Sequence, residues 1–176
     1  MLTEKMEKAL NAQVNAELYS SYLYLAMGAW LDTQKLPGFV HWMKTQALEE
    51  MYHGLKLFDY VRSAGGRARL DAIAQPAGEW KSALAVAEGI LAHEQKVTGL
   101  IKALVKVAQE EKDPATEQFL AWYIKEQVEE EESAEGVLNK VKKAGKDLAA
   151  IDAELGERTF KIPKDSTIKF RNVTLK

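Results

Sequence analysis

The sequence predicts an all-α protein, a four-helix bundle with one long crossover and a short fifth helix near the C-terminal end. Apolar residues recur at alternating steps of three and four over four long segments, which is the pattern of helices with one buried face. Breaks such as Gly65-Gly66 and Asp113-Pro114 separate these segments. The links after the first and third segments are short, whereas the link after the second is long, and this arrangement gives the bundle its crossover.

The first two helices have recognisable boundaries in the sequence. Thr3 is a residue type that caps helix N-termini, and the helix behind it runs to about Asp32. The second helix starts behind residues 36–38 and ends at Gly65-Gly66, because consecutive glycines interrupt a helix. Only a few residues separate the two helices, so they should pack as antiparallel neighbours.

The remaining helices are bounded in the same way. The third begins near Ser82 and fades over residues 110–113. The fourth opens on Asp113-Pro114, a capping residue followed by proline at the first helical position, and closes near Gly145. A short fifth helix follows over about residues 147–157.

The long middle connection determines the topology. Each main helix has about 28 residues and is therefore roughly 42 Å long. Residues 66–81 show no helical pattern, and some sixteen extended residues span about 50 Å, the length of a whole helix. The chain can therefore return to the other end of the bundle, so that the second and third helices run parallel.

Composition excludes several classes of protein. The chain has 176 residues, one domain's worth, and a formal net charge of −2, which gives no reason to expect a nucleic-acid partner. It has no cysteine, so disulfides, thiolate metal sites and cysteine nucleophiles are excluded. No leader-like segment or membrane-length apolar run is present. We expect a soluble, cytoplasmic protein without a membrane partner.

The predicted buried faces carry polar residues among the apolar ones. Each face contains one glutamate near the middle of its helix, and none contains Lys or Arg. The faces are Leu10, Val14, Glu17, Ser21, Tyr24, Gly28 and Leu31; Phe39, Met43, Gln46, Glu50, His53, Leu57 and Tyr60; Ala87, Ile90, Glu94, Val97, Ile101, Leu104 and Ala108; and Thr116, Leu120, Tyr123, Gln127, Glu130, Ala134, Val137 and Val141.

Helix midpoints lie at one height whichever way a helix points, so these polar residues should form one layer. An isolated buried carboxylate is costly, and buried charges are therefore paired or bind metal. Four carboxylates with one imidazole remain strongly negative, and two divalent cations would neutralise them. Carboxylate and imidazole ligands suit Fe or Mn. The predicted layer consists of Glu17, Glu50, His53, Glu94, Gln127 and Glu130.

Each residue of the layer also has a simpler interpretation. A single glutamate on an apolar face is usually a partly wetted position, and a lone His53 is more often a hydrogen-bonded core residue. The motif Glu50-x-x-His53 is common by chance, although its two side chains lie on one helical face and are close enough to share an ion. One carboxylate on every helix at one height is the combination that favours a metal site.

The predicted metal-site residues and the segments around them resemble those of a known protein family. Bundle metal sites use a glutamate from each of two helices and Glu-x-x-His motifs from two others. Here Gln127-x-x-Glu130 replaces the second such motif, an asymmetry that resembles ferritin more than bacterioferritin. The chain resembles prokaryotic non-haem ferritin over about residues 3–158, through the segments NAELYSSYLYL, EEMYHG and FLAWYIKEQVEEEE. The resemblance implies a ferritin-like bundle at residues 1–158, followed by a basic tail at 159–176.

The resemblance implies roles for individual residues. Glu17, Glu50 and His53 would hold one ferroxidase iron, with Glu50 bridging to a second iron held by Glu94 and Glu130, and Gln127 would lie beside it. Tyr24 matches a tyrosine near the centre and joins the catalytic set, and Trp122 matches a nearby aromatic residue. A third iron would take Glu49, Glu126, Glu129 and Glu130.

The outer residues have competing interpretations. The acidic run at 126–132 is also typical of a solvated helix face, and Glu49 could equally face water. Tyr24 and Trp122 could serve packing alone.

The implied activity is oxidation of Fe²⁺ by O₂ or peroxide, followed by storage as ferric oxyhydroxide in a hollow cage of 24 subunits, without haem. Three alternatives differ from this activity in the features that they require. Bacterioferritin would use Met51, which stands where its haem-ligating methionine lies. A rubrerythrin-like peroxide reductase normally carries a cysteine-bound iron, which this chain cannot form. A helical scaffold with a polar layer would gain no stability from metal.

Overall fold

Five α-helices account for the regular structure of residues 1–160, the part of the chain that the computed structural model describes. No strand occurs in these residues. The four long helices, the crossover and the short fifth helix confirm the predicted fold. Of the predicted tail, residues 161–176 lie outside the described part. The helices are α1 Glu4–Thr33, α2 Pro37–Ser63, α3 Ala83–Glu110, α4 Pro114–Ala144 and α5 Ala149–Leu155.

Side-chain caps fix three of the helix starts, as the sequence indicates. Thr3 Oγ1 accepts a hydrogen bond from the Met6 amide at 3.2 Å, and Ser82 Oγ accepts one from the Ala85 amide at 3.1 Å. Asp113 Oδ1 accepts from the Thr116 amide at 3.0 Å. Each cap satisfies one of the amides that the first turn of a helix leaves without an intrahelical partner.

Two boundaries differ from the prediction. α2 already includes Pro37 and Gly38, because proline has the fixed φ of a first helical residue and needs no amide hydrogen there. α5 is shorter than predicted and begins at Ala149. Asp147 lies in the turn before it, where its Oδ1 accepts a hydrogen bond from the Ala149 amide at 3.3 Å.

The crossover, residues 64–82, runs along the whole length of α1. Near its beginning, the Arg67 amide donates to Glu7 Oε2 at 2.9 Å, and Asn11 Nδ2 donates to the Arg67 carbonyl at 3.0 Å. Near its end, the rings of Trp80 and Trp30 lie 6.0 Å apart. The chain therefore enters α3 at the opposite end of the bundle from where it left α2, and α2 and α3 run parallel as predicted.

The predicted buried faces are buried, with one exception. Tyr60 is only partly buried, and its hydroxyl lies 2.8 Å from Thr116 Oγ1 while its ring stacks on Phe119 at 3.8 Å. The apolar part of the core divides into two clusters. One surrounds Met43 and Ile90, the other surrounds Leu57 and Ile101, and the polar layer lies between them. Within residues 1–160, no helix has both the length and the apolar run required to cross a membrane.

α5 docks on the start of α2 and caps it from a distance. Leu36, the residue before α2, makes no side-chain capping bond. Instead Asp152 of α5 accepts a hydrogen bond from the Phe39 amide through Oδ1 at 2.9 Å. The carboxylate also lies at the positive end of the α2 dipole. This approach requires Gly38, since a Cβ there would lie 1.6 Å from the Asp152 carbonyl oxygen.

Gly38→Ala is expected to displace α5 from the bundle and to lower the melting temperature, because the Asp152 backbone cannot yield as a flexible side-chain end would. Gly99→Ala is the matched control. Gly99 lies within α3, where an added Cβ would meet nothing within 4 Å, and alanine there should stabilise the helix by roughly 0.5–1 kcal/mol. Thermal unfolding of both variants measures the contrast. Equal melting temperatures would show that α5 does not depend on this contact.

Candidate metal centre

The polar layer predicted from the sequence exists as a buried layer at the middle of the bundle. Its four glutamates are each no more than 6% exposed, and His53 is 2% exposed. Each of the four long helices contributes one of these glutamates. No Lys or Arg is buried among residues 1–160. The layer is therefore rich in carboxyl groups and has no buried Lys or Arg among the described residues to neutralise their charge.

The ligand atoms of the layer converge into three overlapping groups among the described residues. Each residue of a group contributes one ligand atom, and within a group these atoms all lie within 4.8 Å of one another. The three shared members, Glu50, His53 and Glu130, connect the groups into one continuous site. The groups are Glu17, Glu50 and His53; Glu50, Glu94 and Glu130; and His53, Glu126 and Glu130.

His53 lies between an inner and an outer carboxylate. Its Nδ1 is 3.4 Å from Glu50 Oε2 and its Nε2 is 3.9 Å from Glu126 Oε1. The Tyr123 hydroxyl donates to the His53 backbone carbonyl at 2.7 Å, which fixes this turn of α2 against α4. The Trp122 ring contacts the imidazole edge-on, with the two ring centres 5.5 Å apart.

Two glutamines hold the carboxylates in place, a role that the sequence interpretation missed. Gln13 Nε2 donates to Glu17 Oε1 at 2.9 Å. Gln46 Nε2 donates to Glu130 Oε2 at 2.6 Å and lies 3.3 Å from Glu50 Oε1. Each glutamine stands four residues before a ligand glutamate on the same helix, a spacing that places side chains together and could have revealed both.

Tyr24 and Gln127 both contact Glu94. The Tyr24 hydroxyl donates a short hydrogen bond to Glu94 Oε1. Gln127 Nε2 lies 3.4 Å from Glu94 Oε2 and 3.3 Å from Thr98 Oγ1. Tyr24 is fully buried, and burial together with the negative charge of Glu94 raises the pKa of its phenol well above the usual range. Tyr24 is therefore held as a neutral hydrogen-bond donor to the site.

Burial and mutual repulsion raise the pKa values of the carboxyl groups. Burial, followed by the charge of Glu50, raises the pKa of Glu17 to about 8. Burial and the charge of Glu130 raise the pKa of Glu94 to about 7. The pKa of Glu50 also lies well above the usual range, first because of burial and then because of Glu94 and Glu130. Without a metal, the site retains protons at neutral pH.

The donor set fits divalent iron. Within the layer, the buried Glu17 Oε2 accepts no hydrogen bond from the described residues. A buried carboxylate oxygen without a protein partner is free to accept a metal ion. Oxygen donors with one imidazole suit Fe²⁺. Cation binding would also offset the burial and the mutual repulsion that raise the three pKa values.

The residues expected to form a third site are more dispersed. Glu126 forms a ligand group with His53 and Glu130. Glu129, in contrast, has a side chain that is 61% exposed, and its Oε1 lies 3.5 Å from Lys125 Nζ. Glu49 pairs with Arg158, which the sequence interpretation did not consider. Burial raises the pKa of Glu49 to about 7, an effect that Arg158 opposes. Met51, the residue of the haem alternative, is 39% exposed.

Known sequences that are similar to this chain include bacterial ferritins. The profile of the Ferritin family, described as a ferritin-like domain, matches residues 7–144. The bacterial non-heme ferritin of Bacteroides fragilis is 43% identical over 159 residues, which are 90% of this chain and 100% of that protein. A probable bacterial non-heme ferritin-like protein of Haemophilus influenzae is 43% identical over 164 residues, which are 92% of this chain and 99% of that protein.

Solved structures give the same result. The open pore ferritin of the hyperthermophilic archaeon Archaeoglobus fulgidus superimposes with a TM-score of 0.89 at 47% sequence identity. The match covers 90% of this chain and 98% of that one. The span that the family profile matches, residues 7–144, includes every residue of the buried polar layer.

Proposed function

Because this chain belongs to the ferritin family of iron-storage proteins, we propose that it oxidises Fe²⁺ at its buried carboxylate layer before the iron is stored. The observation that carries the proposal is the continuous group of ligand atoms that converges from all four long helices. Iron is the substrate of this reaction and passes through the site. We further propose that two irons bind side by side, because Glu50 belongs to two of the ligand groups.

The residues divide between the two iron positions. Glu17 and His53 would hold the first ion, Glu94 and Glu130 the second, and Glu50 would bridge them. Carboxylate oxygens are hard ligands that stabilise Fe³⁺ more than Fe²⁺, so they favour loss of an electron. Gln127 beside Glu94 supplies a neutral amide in place of a charged ligand. The second ion is therefore held less tightly, and ferric iron can leave for storage.

The electrons and protons balance for either oxidant. Two Fe²⁺ ions give up two electrons. These electrons and two protons reduce O₂ to hydrogen peroxide, or reduce hydrogen peroxide to two waters. The metal-free site holds protons on Glu17, Glu50 and Glu94 because of their raised pKa values. Metal ligands bind deprotonated, so Fe²⁺ displaces these protons as it enters.

Zinc inhibition tests the proposal directly. Zn²⁺ binds carboxylate and imidazole ligands but has no redox chemistry. Two Zn²⁺ ions per subunit, added before aerobic Fe²⁺, are expected to suppress the initial rate of ferric absorbance, whereas the same concentration of Mg²⁺, which keeps its water shell, should have little effect. An unchanged rate in the zinc-loaded protein would contradict oxidation at this layer.

Assembly is a separate expectation. We propose that 24 chains form a hollow cage, as the resemblance to ferritin implies, in the cytoplasm. With 19.7 kDa per chain, 24 × 19.7 kDa gives an assembly of roughly 470 kDa. Light scattering coupled to size exclusion should show this mass at moderate salt concentration. A monomer at every salt concentration would rule the cage out.

A further inference from the structure

Arg158, just beyond α5, places its guanidinium against the middle of α2. Its Nη1 donates to Gln46 Oε1 at 2.5 Å, and its Nη2 donates to Glu49 Oε2. The guanidinium carbon lies 4.4 Å from the centre of the Trp42 ring. The Arg158 carbonyl lies 2.7 Å from His41 Nε2. The side chain is only 19% exposed, so this guanidinium is largely withdrawn from water.

The contact extends along one face of α2. From His41 and Trp42 it continues to Gln46 and Glu49, in helical steps of three to four residues. Two residues after Arg158, the ring of Phe160 packs against Tyr52 with 6.1 Å between the ring centres, one step further along the same face. The segment 158–160 is therefore in register with α2, and Arg158 is held by its backbone as well as by its side chain.

Through Gln46 the guanidinium also reaches the paired site, the two proposed iron positions formed by Glu17, Glu50, His53, Glu94 and Glu130. A guanidinium carries donors only, so Gln46 must turn its oxygen towards Arg158. Its amide nitrogen then faces the other way and donates to Glu130 at 2.6 Å, with Glu50 Oε1 at 3.3 Å. Arg158 is thus a positioning residue, which orients the amide that holds one ligand of each iron group.

We propose that Arg158 is the counter-cation of Glu49 and that it competes for this carboxylate with a third divalent cation, bound at an outer site that Glu49 would share with Glu126 and Glu130. This inference rests on the function proposed above. Glu49 is paired with Arg158 and belongs to none of the converging ligand groups, so an outer cation that takes Glu49 as a ligand competes with the guanidinium for its negative charge. Arg158 therefore weakens the outer site relative to the paired site, and the order in which the two sites fill depends on the segment that follows α5.

Zinc titration of the metal-free assembled protein tests this competition. In the wild-type protein we expect the first two zinc ions per subunit to bind at the paired site and the third to bind at the outer site. Arg158→Ala is expected to tighten binding of the third ion roughly five- to tenfold, since an ion pair no longer has to be broken, whereas any change in the first two ions reports the lost orientation of Gln46. Arg158→Lys, which keeps the charge, should remain near wild type. Calorimetry gives each affinity separately.

Two further variants separate competition from a general structural effect. In a Glu49→Gln background, Arg158→Ala should no longer change the affinity for the third zinc ion. Arg62→Ala, which removes an arginine 63% exposed and paired with Asp59, should leave all three ions as in wild type. Equal third-ion affinity in Arg158→Ala and wild type, or no third ion in either, overturns the proposal. Absence of the first two ions from wild type would instead overturn the proposed function.

Discussion

Replacing Glu50 and His53 together by alanine is expected to reduce the initial rate of aerobic Fe²⁺ oxidation by at least ~100-fold, since removing even outer-shell residues of metal sites typically costs 10–100-fold. Glu50 belongs to two ligand groups and His53 to two. The double variant therefore removes ligands from every group of the layer. Rapid mixing with Fe²⁺ at two ions per subunit, followed by ferric absorbance, measures the rate.

Two controls make this result specific. Leu57→Ala, one helical turn beyond His53, opens a cavity in the fully buried core of α2 without removing a ligand. Glu88→Ala removes an exposed glutamate of α3. Both controls should retain the wild-type rate once their assembly is verified. If the double variant oxidised Fe²⁺ as fast as the controls, the assignment of the layer as the oxidation site would be wrong.

The second large effect is an expected loss of stability of the metal-free protein as pH rises. For Glu17 and Glu94, the native pKa values of about 8 and 7 lie above the ordinary value of 4.5. Between 4.5 and the native values, the folded metal-free protein binds more protons than the unfolded chain, so the free energy of unfolding falls as pH rises. From pH 6.5 to 8.5, Glu17 alone accounts for a loss of roughly 2 kcal/mol. The stabilisation that protonated Glu17 contributes is fully present below pH 4.5 and is lost above about pH 8.

Melting temperatures of metal-free protein at pH 6.5 and 8.5, at fixed protein concentration, measure this effect. The range begins at 6.5 because burial lowers the pKa of His93 to about 4, which adds stability as pH rises towards 6.5. Glu17→Gln keeps the size of the side chain without its titration and should flatten the dependence. In the wild-type protein, saturating Zn²⁺ should reverse the direction of the pH dependence, since deprotonation favours metal binding. A metal-free protein equally stable at both pH values would contradict the raised pKa of Glu17.

The reversal with zinc also distinguishes a metal site from a scaffold. A ligand that binds only the native state raises stability by mass action. A polar layer that only sets the register of the helices would show the pH dependence without any gain from zinc. Both measurements use one set of samples, so the two interpretations can be compared directly.

Much of this molecule follows from local patterns in the sequence. The caps at Thr3, Ser82 and Asp113 and the steps of three and four determine where the long helices lie, because these effects act within one or two turns. The placement of the glutamates follows as well. A carboxylate in the middle of each apolar face must come to the middle of the bundle when those faces pack together.

Tertiary structure alone decided the contacts between residues distant in the chain. Asp152 caps α2 from more than a hundred residues away, and Gly38 is required only because α5 lies against it. Arg158 pairs with Glu49 across a similar distance. The periodicity of the sequence cannot predict such pairs, because they depend on the direction that the chain takes after α4. The sequence therefore determined the helices and the charge of their buried layer, whereas folding determined which cation and which amides meet each carboxylate.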